Sequence, residues 1–246
     1  MKIQILSDTH GFDYSISPEA ELIVHAGDFS NGLKGCTEFV EKCKAVNKEH
    51  VFVLGNHDYY STNLYSTLEF FKQNPKYNVL SYDNSFKFKD YTFVGGTLFS
   101  NFRQNTYSTP NQDAVKYNMY FAERGIYDFI AILSENNKFI TAEEYVTLFN
   151  KTLANINKYR YKKNVIVLTH FPPHLACLDK QFEGSPLNPY FINSLDVEGF
   201  KLWISGHTHS AIDTVVDDCR LIVNPLGYPK EQEEGNGFRP NLVIDI

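Results

Sequence analysis

The sequence predicts an α/β protein in which parallel strands alternate with helices. Five short apolar runs have the length of a strand and end in aspartate, asparagine or histidine; they cover residues 2–10, 21–28, 51–58, 164–170 and 201–209. Nearly continuous apolar runs of this length are typical of strands that are buried on both faces. Helical segments separate several of these runs, and this alternation favours a mostly parallel sheet.

The helical segments lie at residues 33–47, 61–74 and 141–160. The second stops before Pro75, because proline cannot continue a helix. The third opens with Thr141 and Glu144 at the spacing of a capping box, in which each side chain accepts a hydrogen bond from the backbone amide of the other residue. Further β-like runs at residues 86–98, 211–216, 220–224 and 242–246 predict hairpin pairing toward the C-terminal half.

Length and composition limit the organisation of the chain and its partners. The length suits one domain over residues 1–246, with a partly helical, cap-like insertion around residues 100–160. The net charge of −6 disfavours a general nucleic-acid binder, since the phosphate backbone attracts basic surfaces. No apolar stretch reaches the length of a signal-peptide core or a membrane span, and the four cysteines form no CxxC pair. We therefore expect a cytoplasmic protein with reduced thiols and no membrane partner.

The polar residues at the strand ends form a set with the chemistry of a metal site: Asp8, His10, Asp28, Asn56, His57, His170, His207 and His209. In open α/β sheets, ligands bind outside the carboxyl ends of the strands. Imidazole nitrogens, carboxylate oxygens and one amide oxygen suit Mn²⁺, Fe²⁺, Zn²⁺ or Ni²⁺. The set is too large for one tetrahedral site but has the right size for two ions that share a carboxylate.

The ordered motifs resemble those of the calcineurin-like metallophosphoesterase superfamily: Asp8-Thr9-His10, Gly27-Asp28, Gly55-Asn56-His57-Asp58, His170 and Gly206-His207-Thr208-His209. The stretches SPLNPYF (185–191) and NPLGY (224–228) also resemble a group of small bacterial phosphohydrolases. The resemblance implies a four-layer α/β/β/α sandwich with a dinuclear metal site at the strand ends. It implies two divalent ions per chain, with Mn²⁺ or Fe²⁺ favoured and Zn²⁺ or Ni²⁺ as alternatives.

The same resemblance implies a role for each motif residue. Seven ligand positions form two sets that share Asp28, with Asp8, His10 and His209 on one ion and Asn56, His170 and His207 on the other. The catalytic residues would be His57, which faces the substrate, and Asp58, which orients the His57 ring. The implied reaction is hydrolysis of a phosphate mono- or diester by a metal-bridging hydroxide, with His57 assisting the leaving group.

The sequence does not identify the substrate, and it allows two alternative functions. The expected substrate is a small-molecule or nucleotide phosphate ester, and the oligomeric state is open. Asn31 stands where class III cyclic-nucleotide phosphodiesterases usually carry a second acid, and the Asp-Arg-Gly motif of the protein phosphatases is missing. A non-catalytic protein-binding module on the same fold is one alternative, and a nuclease-type phosphodiesterase is another.

Candidates for substrate contacts are weaker: Arg103, Arg124, Tyr59 and His174. A guanidinium group matches phosphate oxygens in shape, which is the reason for the two arginines. Tyr59, like its neighbour Tyr60, follows the GNHD motif and could border the pocket or pack in the core. Among the remaining histidines, His25 is expected to support the ligands from within the core, and His50 is expected to lie in solvent.

Overall fold

A computed structural model describes residues 1–103 and 112–246 of the chain. The strands in these residues are β1 (Lys2–Leu6), β2 (Leu22–His25), β3 (Glu49–Phe52), β4 (Ser85–Phe88), β5 (Tyr91–Gly96), β6 (Val165–Thr169), β7 (Leu202–Ser205), β8 (Ile212–Val216), β9 (Cys219–Val223) and β10 (Val243–Asp245). The α-helices are α1 (Lys34–Ala45), α2 (Leu64–Gln73), α3 (Gln112–Gly125), α4 (Asp128–Ala131), α5 (Ala142–Asn157), α6 (Asn188–Phe191) and α7 (Pro229–Glu233).

The strands form a four-stranded sheet in the order β10-β1-β2-β3 and a six-stranded sheet in the order β4-β5-β6-β7-β9-β8. The central strands of both sheets are parallel, and the outer pairs β1–β10, β4–β5 and β8–β9 are antiparallel. In the first sheet, Leu6 lies opposite His25 and His25 lies opposite Phe52. The carboxyl ends of β1, β2 and β3 therefore meet at one edge of the sheet.

The side chains on the two faces of each sheet divide into separate cores. Ile3, Val24, Phe93, Ile166 and Ile204 are buried in one cluster between the sheets. Alternate residues of the same strands belong to a second cluster, which includes helix residues of the outer layers. Because α1 packs on β3 and α5 packs on β5, helices cover the outer faces. The four-layer α/β/β/α arrangement expected from the sequence is confirmed.

The predicted strands are shorter in the structure than their apolar runs. The run at residues 2–10 is a strand only from Lys2 to Leu6, so the metal-ligand candidates Asp8 and His10 lie in the loop that follows. The run at residues 86–98 is interrupted by a turn in which Lys89 has a φ of 51°. It therefore contributes β4 and β5 as an antiparallel pair.

The cap-like insertion expected around residues 100–160 contains α3, α4 and α5, while its residues 104–111 lie outside the described residues. Since α5 packs on β5, this helix forms part of the outer layer of the sandwich. The short helix α4 brings Asp128 into the protein interior, where that side chain is 1% exposed. The segment thus contributes both to the helical layer and to the surroundings of the site.

All four cysteines are buried with free thiols. No helix in residues 1–103 and 112–246 combines the length and the apolar character needed to cross a membrane. The cytoplasmic location stays a prediction.

The capping box at the start of α5 gives a stability prediction. The Thr141 hydroxyl accepts a hydrogen bond from the Glu144 amide, and the Glu144 carboxylate accepts one from the Thr141 amide. Thr141→Ala should lower the free energy of unfolding in urea by about 1 kcal/mol, because an orphaned amide loses its acceptor. Thr147→Ala, the same change at an exposed interior position of α5, is the control. Equal losses in both variants would contradict the capping role.

Candidate metal centre

Polar side chains from the loops after five strands converge where the carboxyl ends of the two sheets meet. Two groups of potential metal ligands result, Asp8, His10, Asp28 and His209 in one and Asp28, His170 and His207 in the other, with the ligand atoms of each group within 4.8 Å of one another. Asp28 belongs to both groups. The amide oxygen Oδ1 of Asn56 lies 3.0 Å from Nε2 of His170 and so joins the second group.

The backbone at these positions has an uncommon conformation. Positive φ angles occur at five of the ligand residues: Asp8 (52°), His10 (46°), Asp28 (59°), His207 (74°) and His209 (53°). Non-glycine residues rarely adopt this region, and such local strain is concentrated at functional sites. In the GHTH loop, the two strained residues lie on either side of Thr208, and their side chains enter different ligand groups.

Two glycines of the motifs give the ligands room. A Cβ atom added at Gly55 would collide with the carboxylate of Asp28. A Cβ atom added at Gly206 would lie 2.7 Å from Oδ2 of Asp8. Both glycines are therefore required for the close approach of loops whose carboxylates serve the site.

Hydrogen bonds to Nδ1 set the tautomers of two of the histidines. Nδ1 of His170 donates to the carbonyl oxygen of Ala26 at 2.7 Å, and Nδ1 of His209 donates to the Glu231 carboxylate at 2.8 Å. Each neutral ring then presents the lone pair of Nε2 to the centre of the site. Fixing one ring nitrogen in this way is how proteins orient histidines that bind metals.

Several of the converging atoms are oxygens or ring nitrogens that face other acceptors, so they need a proton or a cation between them. Nε2 of His170 faces the oxygen Oδ1 of Asn56 and, at 3.4 Å, Oδ2 of Asp28. Among the described residues, the buried atoms Oδ2 of Asp8 and Nε2 of His207 have no hydrogen-bond partner. One divalent ion in each group would satisfy these atoms, so the residues present fit two ions.

The protonation states of His10, His207 and Asp28 agree with ligand roles, whereas His170 would lose a proton on metal binding. Burial lowers the pKa of His10 to about 4 and the pKa of His207 well below its usual value, which leaves both rings neutral. Burial opposes the charge on Asp28, but the nearby imidazoles, led by His170, hold its pKa well below the usual range. Burial also acts against the charge on His170, yet the Asp28 carboxylate raises the pKa of that ring to about 9. A bound cation would displace that proton, because a histidine ligand must be neutral.

Comparison with known proteins decides the family. The model of the calcineurin-like phosphoesterase family matches residues 1–211. The chain belongs to the calcineurin-like phosphoesterase family. An uncharacterized protein of Acanthamoeba polyphaga mimivirus is 27% identical in an alignment 245 positions long, and the match covers 89% of this chain and 82% of the viral protein. The solved structure of phosphopantetheinyl hydrolase from Mycobacterium tuberculosis shares the fold, with a TM-score of 0.69 at 15% identity over 95% of this chain and 92% of that one.

In this member of the family, His57 lies at the border between the ligands and solvent. Its side chain is 23% exposed, and Nε2 is 4.0 Å from Oδ2 of Asp28. Nδ1 donates to Oδ1 of Asn31 at 3.0 Å, while the ring packs against those of His10 and Tyr60. Nε2 is therefore the nitrogen directed toward the ligand groups.

The role predicted for Asp58 is wrong. Its carboxylate accepts hydrogen bonds from the backbone amides of Asp28, Phe29 and Gly55 at 2.8–2.9 Å, and it lies fully buried behind the site. Burial, followed by the charge of Asp28, raises its pKa to about 8, and the backbone donors oppose this rise. Asp58 thus joins the loops after β2 and β3, and the group that contacts the His57 ring is Asn31.

A cavity of about 840 Å³ opens over the ligand groups. Aromatic residues form much of its wall: Tyr60, Tyr127, Phe182, Tyr190, Phe191 and Tyr228. Its acidic residues outside the ligand groups are Asp128, Asp179, Glu231 and Glu234. Lysine and arginine are missing from the described residues that line it, and the sequence of residues 104–111 contains neither.

The four substrate contacts predicted from the sequence do not line this cavity. Tyr59 is 1% exposed, and its hydroxyl bonds Thr97 in the core. Arg124 extends over the ring of Tyr120 on exposed α3, and Arg103 is exposed outside the cavity wall. Nδ1 of His174 is used to accept a hydrogen bond from the Ala176 amide. The residue that borders the cavity after the GNHD motif is Tyr60.

The remaining histidines are both buried. His25 stacks on Phe29, and its Nδ1 accepts a hydrogen bond from the amide of Gly27, so it supports the loop that carries Asp28. His50 was expected in solvent, but it is 4% exposed and packs against Phe39 and Phe52. His50 is buried because it belongs to β3 and faces the helical layer.

Sequence patterns did not reveal Glu231. This residue lies on α7, and its carboxylate accepts hydrogen bonds from Nδ1 of His209 and from the Tyr228 amide at 2.7 Å. Burial acts against the charge on His209, but Glu231 together with Asp8 raises the pKa of that ring overall. A carboxylate behind a ligating histidine orients the ring and makes its free nitrogen more basic.

Glu231→Gln should therefore weaken metal binding. Loss of the charged acceptor is expected to lower the affinity of one ion by about 10–100-fold, as measured by titration against a chelating dye. Glu233→Gln, on the same helix but outside the cavity wall, makes the same charge change and should leave the affinity unaltered. Equal affinities for the two variants would exclude the supporting role of Glu231.

Proposed function

We propose that the chain hydrolyses a phosphate ester at two divalent metal ions. The observation that supports this proposal is the pair of ligand groups that share Asp28, with His57 beside them at a cavity open to solvent. Membership of the calcineurin-like phosphoesterase family supports the same class of reaction. The ligand chemistry suits Mn²⁺ or Fe²⁺, with Zn²⁺ or Ni²⁺ as alternatives.

The ions and His57 have different tasks in this proposal. When bound, a pair of divalent ions activates water and offsets the charge of the phosphoryl oxygens. Because Nδ1 donates to Asn31, the second proton of the His57 imidazolium form lies on Nε2. The proton is placed to stabilise the leaving oxygen of the ester, which is general acid assistance. Tyr60 packs against the ring and limits its rotation.

The residues of the cavity wall favour a substrate with a single phosphate group and an aromatic leaving group that carries no further negative charge. Acidic side chains at Asp179 and Glu234 would repel additional phosphates, and no lysine or arginine among the described lining residues would bind them. Exposed rings of Tyr127 and Phe182 offer flat apolar surfaces to a planar group. The same charge pattern weighs against a nuclease-type substrate.

The catalytic role of His57 can be separated from metal binding. His57→Ala should still bind two ions, but its kcat for p-nitrophenyl phosphate should fall by about 10²–10⁴-fold, the usual contribution of general acid–base catalysis. His174→Ala removes a histidine outside the cavity and is the control. Loss of an ion from His57→Ala would show that His57 is a ligand instead. Absence of turnover in a wild-type protein loaded with two ions would favour the protein-binding alternative.

The substrate preference can be tested with aryl phosphates that differ only in the charge of the leaving group. We expect kcat/KM to be higher for a trimethylammonio-phenyl than for a carboxyphenyl phosphate. Asp179→Asn should reduce this ratio by up to about fivefold, since an exposed charge pair contributes roughly 0.2–1 kcal/mol. Asp218→Asn, an exposed position outside the cavity wall, should leave the ratio unchanged. If Asp179→Asn leaves the ratio unchanged, the carboxylate of Asp179 does not select against negatively charged leaving groups.

A further inference from the structure

Behind Asn56 lies a buried carboxylate that the proposed reaction does not use. Asp128 accepts four hydrogen bonds, two at each oxygen. The hydroxyl of Tyr60 and the amide Nδ2 of Asn56 donate to Oδ1, the amide at 3.0 Å. The hydroxyls of Tyr145 and Tyr190 donate to Oδ2. An ionised carboxylate has about four acceptor positions, so these donors saturate Asp128.

The bond to Asp128 determines which end of the Asn56 amide faces the ligand groups. An ionised carboxylate can only accept, so it pairs with the amide nitrogen and not with the amide oxygen. The oxygen Oδ1 of Asn56 is consequently left to point at Nε2 of His170, 3.0 Å away. An amide turned by 180° would place NH₂ among the metal ligands, where it could not bind a cation.

The charge of Asp128 is also unusual for a purely structural group. All its contacts come from neutral donors, and within residues 1–103 and 112–246 it has no ion pair with lysine, arginine or histidine. Burial of a carboxylate without a cation is costly. A neutral residue could join the three tyrosines at lower cost, whereas a negative charge close to two divalent ions gains from their field.

We propose that Asp128 is a positioning residue for the metal centre, which holds Asn56 with its amide oxygen directed at the ion shared with His170 and His207. This inference rests on the proposed two-metal site. It assigns a function to the segment that contains α4, because that helix supplies the one carboxylate in contact with the Asn56 amide among the described residues. Through the amide, the charge of Asp128 makes Oδ1 of Asn56 a stronger ligand.

The first test is Asp128→Asn, measured by Mn²⁺ titration with electron paramagnetic resonance and by competition with a chelating dye. We expect the affinity of one ion to fall by about 10–100-fold, because the new amide no longer dictates the orientation of Asn56. Tyr145→Phe is the matched control, since it removes a hydrogen bond from the same carboxylate on the side away from Asn56. It should lower the melting temperature without a comparable loss of Mn²⁺ affinity.

A reciprocal test begins with a substitution of Asn56, which leaves Asp128 and its three tyrosines in place. Asn56→Asp retains an oxygen ligand but places a second carboxylate next to that of Asp128. The two negative groups repel each other, so Mn²⁺ affinity should fall. The double variant Asn56→Asp with Asp128→Asn exchanges the two groups, and it should bind Mn²⁺ more tightly than Asn56→Asp alone. A role confined to packing predicts no such rescue. This pair of variants decides the question even if Asp128→Asn alone does not fold.

The outcomes separate this inference from the proposed function. Asp128→Asn with wild-type affinity for both ions would overturn the positioning role, as would Asn56→Asp with increased affinity or a double variant without rescue. Each result concerns metal binding and requires no turnover. A wild-type protein that binds two ions but hydrolyses no ester would refute the proposed function and leave the positioning of Asn56 intact.

Discussion

Both halves of the site depend on the position of one carboxylate, that of Asp28. The backbone amide of Asp28 donates to Asp58, and its Oδ1 accepts a hydrogen bond from the His57 amide at 2.9 Å. These bonds join the loop after β2, which carries Asp28, to the loop after β3, which carries Asn56 and His57. The remaining oxygen, Oδ2, lies 3.4 Å from Nε2 of His170, which comes from the other sheet. The packing of the two sheets thus sets the distance between the ligand groups.

The sequence predicted the parts of the structure that depend on local pattern. Parallel strands in register place their carboxyl ends at one edge, so Asp8 and Asp28, which follow neighbouring strands, could be grouped without knowledge of the tertiary structure. His170 follows a strand of the other sheet, and only the packing of the two sheets brings it to the same place. The helix boundaries near Pro75 and Thr141 followed from proline geometry and from the capping box. The division of the strands between two sheets came only from the family resemblance, because buried strands look alike whichever sheet they join.

The residues that sequence analysis missed act through tertiary contacts that leave no local signal. Asp128 reaches Asn56 across 72 positions, and Glu231 reaches His209 across 22. Nothing in the sequence around either acid distinguishes it from an acid on the surface. A similar limit applies to Tyr59 and Tyr60, where a single turn of 3₁₀-helix over His57–Tyr59 sends the first ring into the core and the second to the cavity. A difference of one position in the turn decides which tyrosine packs in the core and which borders the cavity. The periodicity of the sequence does not show which of the two it is.

The charges around the cavity link metal binding to substrate binding. Asp28 is buried at its base, and Asp179 lies at its wall, while the described lining residues include no lysine or arginine. Without cations, a phosphate dianion would meet a negative field in a partly desolvated space, where repulsion is stronger than in water. Two divalent ions would offset the negative charge of the ligand carboxylates next to a bound phosphate. Because such coupling is reciprocal, a phosphate ligand must raise the affinity of the ions by the same factor by which the ions raise the affinity of the phosphate. Metal binding and phosphate binding would therefore be thermodynamically coupled, although much of the cavity wall comes from other parts of the chain than the ligand groups.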